Sequence, residues 1–277
     1  MSDQIPLPGI EIQDLHSNVL NQDLQLYVKR PWSYEQGKDF YPVLYCLDAN
    51  RSFPLYSTTS LIFETPGTNA REILIVGIGY KVDSSRIRGL SQWAAWRTRD
   101  LTPVRREDVE TSWEERLHVI LGDEKIEVRS GGAEKFLHAL RDEVIPFIEE
   151  HYRVSQTDRG LAGYSYGGLF TLYTLFQSPQ LFRRYFAGSP SIWWGGLFDY
   201  EDQYASTHAD LEAKLFITAG GMEAELITNM QQMVDRLHSR NYPGLFLRTQ
   251  VFEGENHSSA YPAAVSRALR VLYYENG

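Results

Sequence analysis

The stretch Arg159-Gly-Leu-Ala-Gly-Tyr-Ser-Tyr-Gly-Gly-Leu-Phe170 decides the reading of the chain. Within it, Gly163-Tyr164-Ser165-Tyr166-Gly167 fits Gly-x-Ser-x-Gly. With 21 glycines and 21 serines in 277 residues, composition alone would produce ~0.1 such matches, so the flanks must carry the argument. A short apolar run precedes the serine, and Leu169-Phe-Thr-Leu-Tyr-Thr-Leu-Phe176 continues as a helix. A strand that turns directly into a helix leaves no room for side chains beside the turn, which is why glycines stand on either side. Ser165 is then expected at positive φ, its hydroxyl exposed next to the positive end of the following helix. A glycine-rich turn with an incidental serine is the plainer alternative, and the flanks outweigh it.

Working outward, Ile10 to Leu15 and Leu24 to Lys29 partly alternate, as in an antiparallel start. Pro42-Val-Leu-Tyr-Cys-Leu47 and Ile73-Leu-Ile-Val-Gly-Ile78 are continuous apolar runs, the pattern of strands buried on both faces of a parallel sheet. Further strands are expected at Arg159 to Gly163, Phe182 to Ala187, Ala213 to Ala219 and Phe246 to Phe252. Helical stripes run through Phe136, Leu140, Val144 and Phe147, through Leu226, Met230, Met233 and Leu237, and through Val265, Leu269 and Leu272. Strands alternating with such helices predict a three-layer α/β fold with a mostly parallel sheet. No linker divides the chain, so a single domain over 1–277 is expected.

Residues 81–130 break the alternation. They hold 20 charged residues, about twice the density of the remainder, and three of the six tryptophans: Trp93, Trp96 and Trp113. A solvated loop would account for the charge. Three tryptophans need something to pack against, and the expectation is a cap.

A serine hydroxyl is a weak nucleophile and needs a histidine base oriented by a carboxylate. With a nucleophile elbow the chain order is serine, acid, histidine. Of seven histidines, four precede Ser165, His208 precedes the strand that should deliver the acid, and His238 lies in a predicted helix. His257 remains, in a polar loop after the last strand, at the edge of the sheet where α/β folds build their sites. The acid should follow the strand Ala213 to Ala219, where Glu223 and Glu225 both qualify. Either also suits a helix N-terminus for purely electrostatic reasons.

The rest is exclusion. Composition, 43% hydrophobic and 23% charged, is that of an ordinary soluble globular chain rather than a disordered or fibrous one. A net charge of −9 argues against nucleic acid or an anionic membrane as partner, and no apolar run is long enough to span a bilayer. Cys46 is the lone cysteine and sits in an apolar strand, which suggests core packing and a reducing cytoplasm. No histidine or cysteine cluster or phosphate loop calls for a metal or cofactor.

At these residues the chain resembles the esterase D-like family of α/β hydrolases, above all the siderophore esterases that open enterobactin, salmochelin or bacillibactin trilactones. The resemblance includes Tyr45-Cys-Leu-Asp-Ala-Asn50, Val76-Gly-Ile-Gly-Tyr80, Arg97-Thr-Arg-Asp-Leu-Thr-Pro103, Ser189-Pro-Ser-Ile-Trp-Trp194 and Gly254-Glu-Asn-His-Ser-Ser259. It implies an α/β-hydrolase fold, Ser165 as nucleophile, His257 as base and Glu223 as acid. It also implies an oxyanion hole from the backbone N–H groups of Tyr166 and Asn50. Two departures accompany it: Ala49 stands where many relatives have glycine, and the acid varies among siderophore esterases.

The function expected is a serine carboxylic-ester hydrolase acting on a small-molecule ester through an acyl-enzyme, without cofactor. An acyltransferase with the same triad, or a non-catalytic binding protein on the scaffold, are the alternatives. For substrate binding, Trp193 and Trp194 follow a strand end beside the elbow and suit aromatic ester components, or else fill core. By the resemblance, Arg97 would pair with an anionic or catecholate substrate, or else neutralise acidic neighbours such as Asp100.

Overall fold

The computed structural model describes residues 9–274 other than Lys38, Pro66 and Asp123. The chain opens with an antiparallel hairpin of β1 (Ile10–Ser17) and β2 (Gln22–Lys29), with Ile10 opposite Lys29. Then come β3 (Tyr41–Cys46), α1 (Ala49–Phe63), β4 (Leu74–Tyr80), α2 (Arg86–Asp100), α3 (Glu107–Leu121), α4 (Ala133–Ala139) and α5 (Ile145–His151). The second half runs β5 (Val154–Tyr164), α6 (Tyr166–Gln177), β6 (Arg184–Gly188), α7 (Leu197–Thr207), β7 (Ala213–Gly220), α8 (Ala224–Arg240), β8 (Leu245–Phe252) and α9 (Ala260–Tyr273). The eight strands form one sheet in the order β1-β2-β4-β3-β5-β6-β7-β8, with β3 to β8 parallel and β2 antiparallel to β4. This is the three-layer, mostly parallel α/β arrangement that the pattern of strands and helices predicts.

Successive side chains of a strand point to opposite faces, and the inner strands are apolar at every position, so each feeds two cores. Val43 and Tyr45 join Val76, Leu161, Tyr185 and Leu215 under α4, α5, α6 and α8. Leu44 and Cys46 join Ile75, Ala162, Phe186 and Phe216 under α1 and α9. Cys46 is core, and burial pushes its thiol well above the usual range, leaving it inert.

Three local features depart from the sequence pattern. The stripe through Phe136 and Phe147 reads as one helix, yet α4 and α5 are joined by a π-helical turn, Leu140–Val144. Pro146, which cannot donate to the helix ladder, follows immediately. Helix α1 carries no legible stripe because it contains Pro54 and buries Ser52, Ser57 and Ser60. Residues 81–130 are largely helical: α2 and α3 enclose a small apolar cluster of Ala95, Leu117 and Val128, against which Trp96 and Trp113 pack. Among the described residues no helix is long and apolar enough to cross a membrane.

Helices α1 and α6 leave the adjacent strands β3 and β5 toward opposite faces. Ligands of open α/β sheets bind where that happens, in the crevice outside the strands' carboxyl ends. The turn from β5 to α6 is so close that a Cβ on Gly163 would lie 2.2 Å from the Gly167 carbonyl. Both partners are backbone and cannot swing away. Gly163→Ala is expected to cost about 3 kcal/mol or more, lowering the thermal midpoint by on the order of 8 °C in a chain of this size. Calorimetry of purified protein checks this.

Candidate active site

Ser165 occupies the turn itself, at φ 61° and ψ −117°. A serine in so sparsely populated a conformation costs of order 1–3 kcal/mol and persists only where its surroundings enforce it. Here the Ser165 N–H donates to Gly188 O (2.9 Å), and its carbonyl accepts from Leu169 (3.0 Å) and Ser191 (3.2 Å). The side chain is left at the crevice, its Oγ 3.4 Å from Ser191 Oγ.

From β7, the chain passes through Gly220 and Gly221 before α8 begins, and Glu223 turns back toward the sheet. Its Oε2 accepts from the Gly220 N–H (2.6 Å) and the Ser189 hydroxyl (2.7 Å). Its Oε1 lies 2.5 Å from His257 Nδ1. Only 6% of the Glu223 side chain is exposed, so these three donors supply the solvation that water would otherwise give. Glu225, two residues on, is exposed in the first turn of α8.

The His257 loop is tied from both sides. Asn256 Oδ1 accepts from the N–H groups of Ser258 (2.9 Å) and Ser259 (3.1 Å), and the Tyr164 hydroxyl donates to the His257 carbonyl (2.8 Å). Tyr164 also flanks the imidazole, ring centroids 5.1 Å apart, and stands 2.8 Å from Ser189 Oγ. Burial above all pushes the Tyr164 phenol up to about 12, so it remains a donor at any working pH. Ser189 is wholly buried and itself held at φ 35°. Neither Ser189 nor Tyr164 is legible as part of the site from its spacing.

Ser165 and His257 line one cavity of about 370 Å³, together with Asp48, Arg51, Trp93 and Trp113. Tyr166 and Asn50 stand at the N-terminal ends of α6 and α1, whose first N–H groups have no intrahelical acceptor. The Asn50 side chain is engaged elsewhere, exchanging two 2.8 Å hydrogen bonds with the backbone of Tyr80. Among the described residues no cluster suited to a metal ion occurs.

The residues marked for substrate binding divide. Arg97 lines the cavity, but its guanidinium makes a bidentate pair with Asp48, Nε to Oδ1 at 2.7 Å and Nη2 to Oδ2 at 2.9 Å. It is also flanked by the rings of Trp93 and Tyr166. Burial opposes its charge, but the Asp48 carboxylate overrides that and holds it above the ordinary arginine range. Arg99 pairs with Asp100. Trp194 is 1% exposed and donates from its indole to Val104 O (2.8 Å); it is packed beneath Tyr166. Neither it nor the more exposed Trp193 is part of the cavity wall. The tryptophans on that wall, Trp93 and Trp113, come from the charge-dense segment.

An eight-stranded, mostly parallel sheet with a serine on a strained strand-to-helix turn defines the α/β-hydrolase class. Residues 104–231 match the family described as "Putative esterase". The chain is 29% identical over 290 residues to the ferri-bacillibactin esterase BesA of Bacillus subtilis, covering all of this chain and 93% of that protein. It is 27% identical to the siderophore triacetylfusarinine C esterase of Aspergillus fumigatus, over 97% of this chain and 94% of that one. The crystal structure of the BES protein from Bacillus cereus superposes with a TM-score of 0.81 at 25% identity, covering 99% of this chain and 98% of that one. The chain belongs to this esterase family of α/β hydrolases, in the company of siderophore esterases, and is an ester hydrolase.

Two outcomes are expected. Glu223→Gln lowers kcat for ester hydrolysis by about 10²–10⁴-fold, while Glu225→Gln stays within about twofold, as steady-state kinetics on an aryl ester will show. Arg97→Met strands Asp48, whose side chain is 10% exposed. Breaking a pair so enclosed costs about 3 kcal/mol, seen as a lower unfolding midpoint and a loss of rate on neutral and anionic esters alike.

Proposed function

We propose that the protein is a serine esterase working through an acyl-enzyme, with Ser165 as nucleophile, His257 as general base and acid, and Glu223 as the group that orients the imidazole. The observation that carries this reading is the 2.5 Å contact between Glu223 Oε1 and His257 Nδ1. It puts the proton on Nδ1 and leaves Nε2 as the acceptor, on a ring that shares a cavity with a serine displayed at positive φ.

Ser165 Oγ turns from Ser191 toward Nε2, attacks the ester carbonyl carbon and gives its proton to Nε2. The carbonyl oxygen becomes an oxyanion that accepts from the N–H groups of Tyr166 and Asn50, aligned with two helix N-termini. The intermediate collapses as the imidazolium protonates the leaving alkoxide, and the alcohol departs. Water then attacks the acyl-enzyme, passing a proton to Nε2. Collapse of the second intermediate returns that proton to Ser165 and frees the acid. Glu223 stays ionised throughout and stabilises the imidazolium.

The substrate proposed is a bulky siderophore-type ester, in keeping with the names of the relatives. The segment 81–130 acts as a cap over a single hydrolase domain and contributes two aromatic walls. The lone, buried Cys46 favours the cytoplasm.

A fluorophosphonate should label the protein at Ser165, as mass spectrometry of the digested adduct will show. Ser165→Ala should lose the label and about 10⁵–10⁶-fold in kcat with an unchanged unfolding midpoint. A folded Ser165→Ala protein that kept a tenth of its activity would overturn the reading. A trilactone cleaved no better than a short aryl ester would overturn the substrate class alone.

A further inference from the structure

The serine cavity is not closed. Arg51, Trp93, Ala94 and Trp113 line it and also line a second compartment of about 730 Å³ between α1, the start of α2 and α3. These shared residues form a neck between the two spaces. A cavity of about 370 Å³ lies at the small end of ligand sites, so an ester with large substituents has to extend beyond it.

The chemistry of the outer compartment is specific. Tyr27, Trp93 and Trp113 offer rings, while Ile87, Leu90 and Ile120 offer aliphatic surface. Ile87, Leu90 and Ile120 are 56%, 44% and 58% exposed, in the most charged part of the chain. Apolar side chains left in water beside a groove mark a surface that something covers. Four charged groups face the space: Arg51, Lys81, Arg86 and Asp83. Lys81 is paired with Asp14 at 2.7 Å, and Asp83 faces Arg88 at 3.8 Å while accepting from the Ser85 N–H. Among the described residues, Arg51 and Arg86 have no carboxylate partner. Arg51 lies over the Trp93 ring, 5.1 Å from its centroid, at the neck. In the inner cavity the Arg97 charge is already taken by Asp48. The uncompensated charge along this path is therefore positive and sits beside aromatic faces.

We propose that the outer compartment is a subsite for an anionic aromatic group on the ester substrate, remote from the bond that Ser165 cleaves, with Arg51 as its specificity-determining cation. This rests on the esterase reading above and adds where the distal part of the substrate goes. A planar anion fits because a ring can stack on Trp93 or Trp113 while its charge meets the guanidinium. A flexible neutral chain would use the apolar wall and leave Arg51 idle.

The test uses two esters alike at the scissile bond, each with a benzene ring on a flexible acyl arm, one ring carrying a carboxylate and the other unsubstituted. The readout is the ratio of kcat/KM for the carboxylated over the neutral ester. In Arg51→Met this ratio should fall about fivefold through KM, and in Leu90→Glu about tenfold by like-charge repulsion. Both positions are exposed, so folding is not at risk. Unchanged ratios in both variants would overturn the subsite, as would an equal fall for the two esters, which makes the groove merely apolar. Should the serine reading itself fail, with Ser165→Ala hydrolysing normally, the subsite is still tested by binding. The free carboxylated acid should quench tryptophan fluorescence in the Ser165→Ala protein, with a severalfold weaker Kd once Arg51→Met is added. An equal Kd would count against it.

Discussion

The constraint on which the site depends is the passage of the backbone from β5 into α6. Hydrogen alone fits on Cα of residue 163, and the residue at 165 must accept a positive φ. Serine is not the residue that such a conformation selects for packing or propensity. The strain at this one position, of order 1–3 kcal/mol, is held by β5 and β6 through the Gly188 carbonyl and by α6 through Leu169. Both strands lie inside the sheet, between cores on either face. A turn anchored this way cannot relax without unpairing inner strands, so the serine is presented at a fixed place and angle.

A second turn has been fitted to the first. Asp48, the residue before α1, is also at positive φ, 58°, and its carboxylate lies where a side chain on Gly167 would come within 3.3 Å. Arg97 closes on that carboxylate from α2 and stacks between Trp93 and Tyr166. One guanidinium thus ties together the start of α1, the start of α6 and the cap helix. The positive ends of α1 and α6 are the proposed oxyanion donors, so their separation is set by this pair rather than by the sheet alone. An arginine spent in that way is unavailable as a receptor for substrate charge.

How much of this was legible in the sequence follows from the range of each interaction. The eight strands were readable because an apolar run buried on two faces leaves a local mark, and the elbow because steric exclusion demands glycines at fixed offsets. Helix α1 was not, since buried serines and Pro54 erase the stripe on which helix recognition depends. The Asp48–Arg97 pair joins positions 49 apart, which no local pattern encodes; only the segment resemblance hinted that both mattered. The choice between Glu223 and Glu225 turned on which carboxylate the chain folds back toward Gly220, a backbone path rather than a composition. Trp193 and Trp194 were marked by their nearness to a strand end. Residue 194 points into the core beneath Tyr166, and the aromatic wall comes instead from Trp93 and Trp113.

The electrostatics of the whole and of the groove point in opposite directions, and distance decides between them. A net charge of −9 repels an anion far from the surface, but at physiological ionic strength that field decays over roughly 8 Å. Inside the groove the nearest uncompensated groups are Arg51 and Arg86, and the low-dielectric walls of Trp93 and Trp113 screen them less than water would. Global repulsion therefore slows the approach of an anionic ester, while local attraction governs how long it stays. Discrimination among esters then resides in residence within the groove, and the chemistry at Ser165 need not distinguish one acyl group from another.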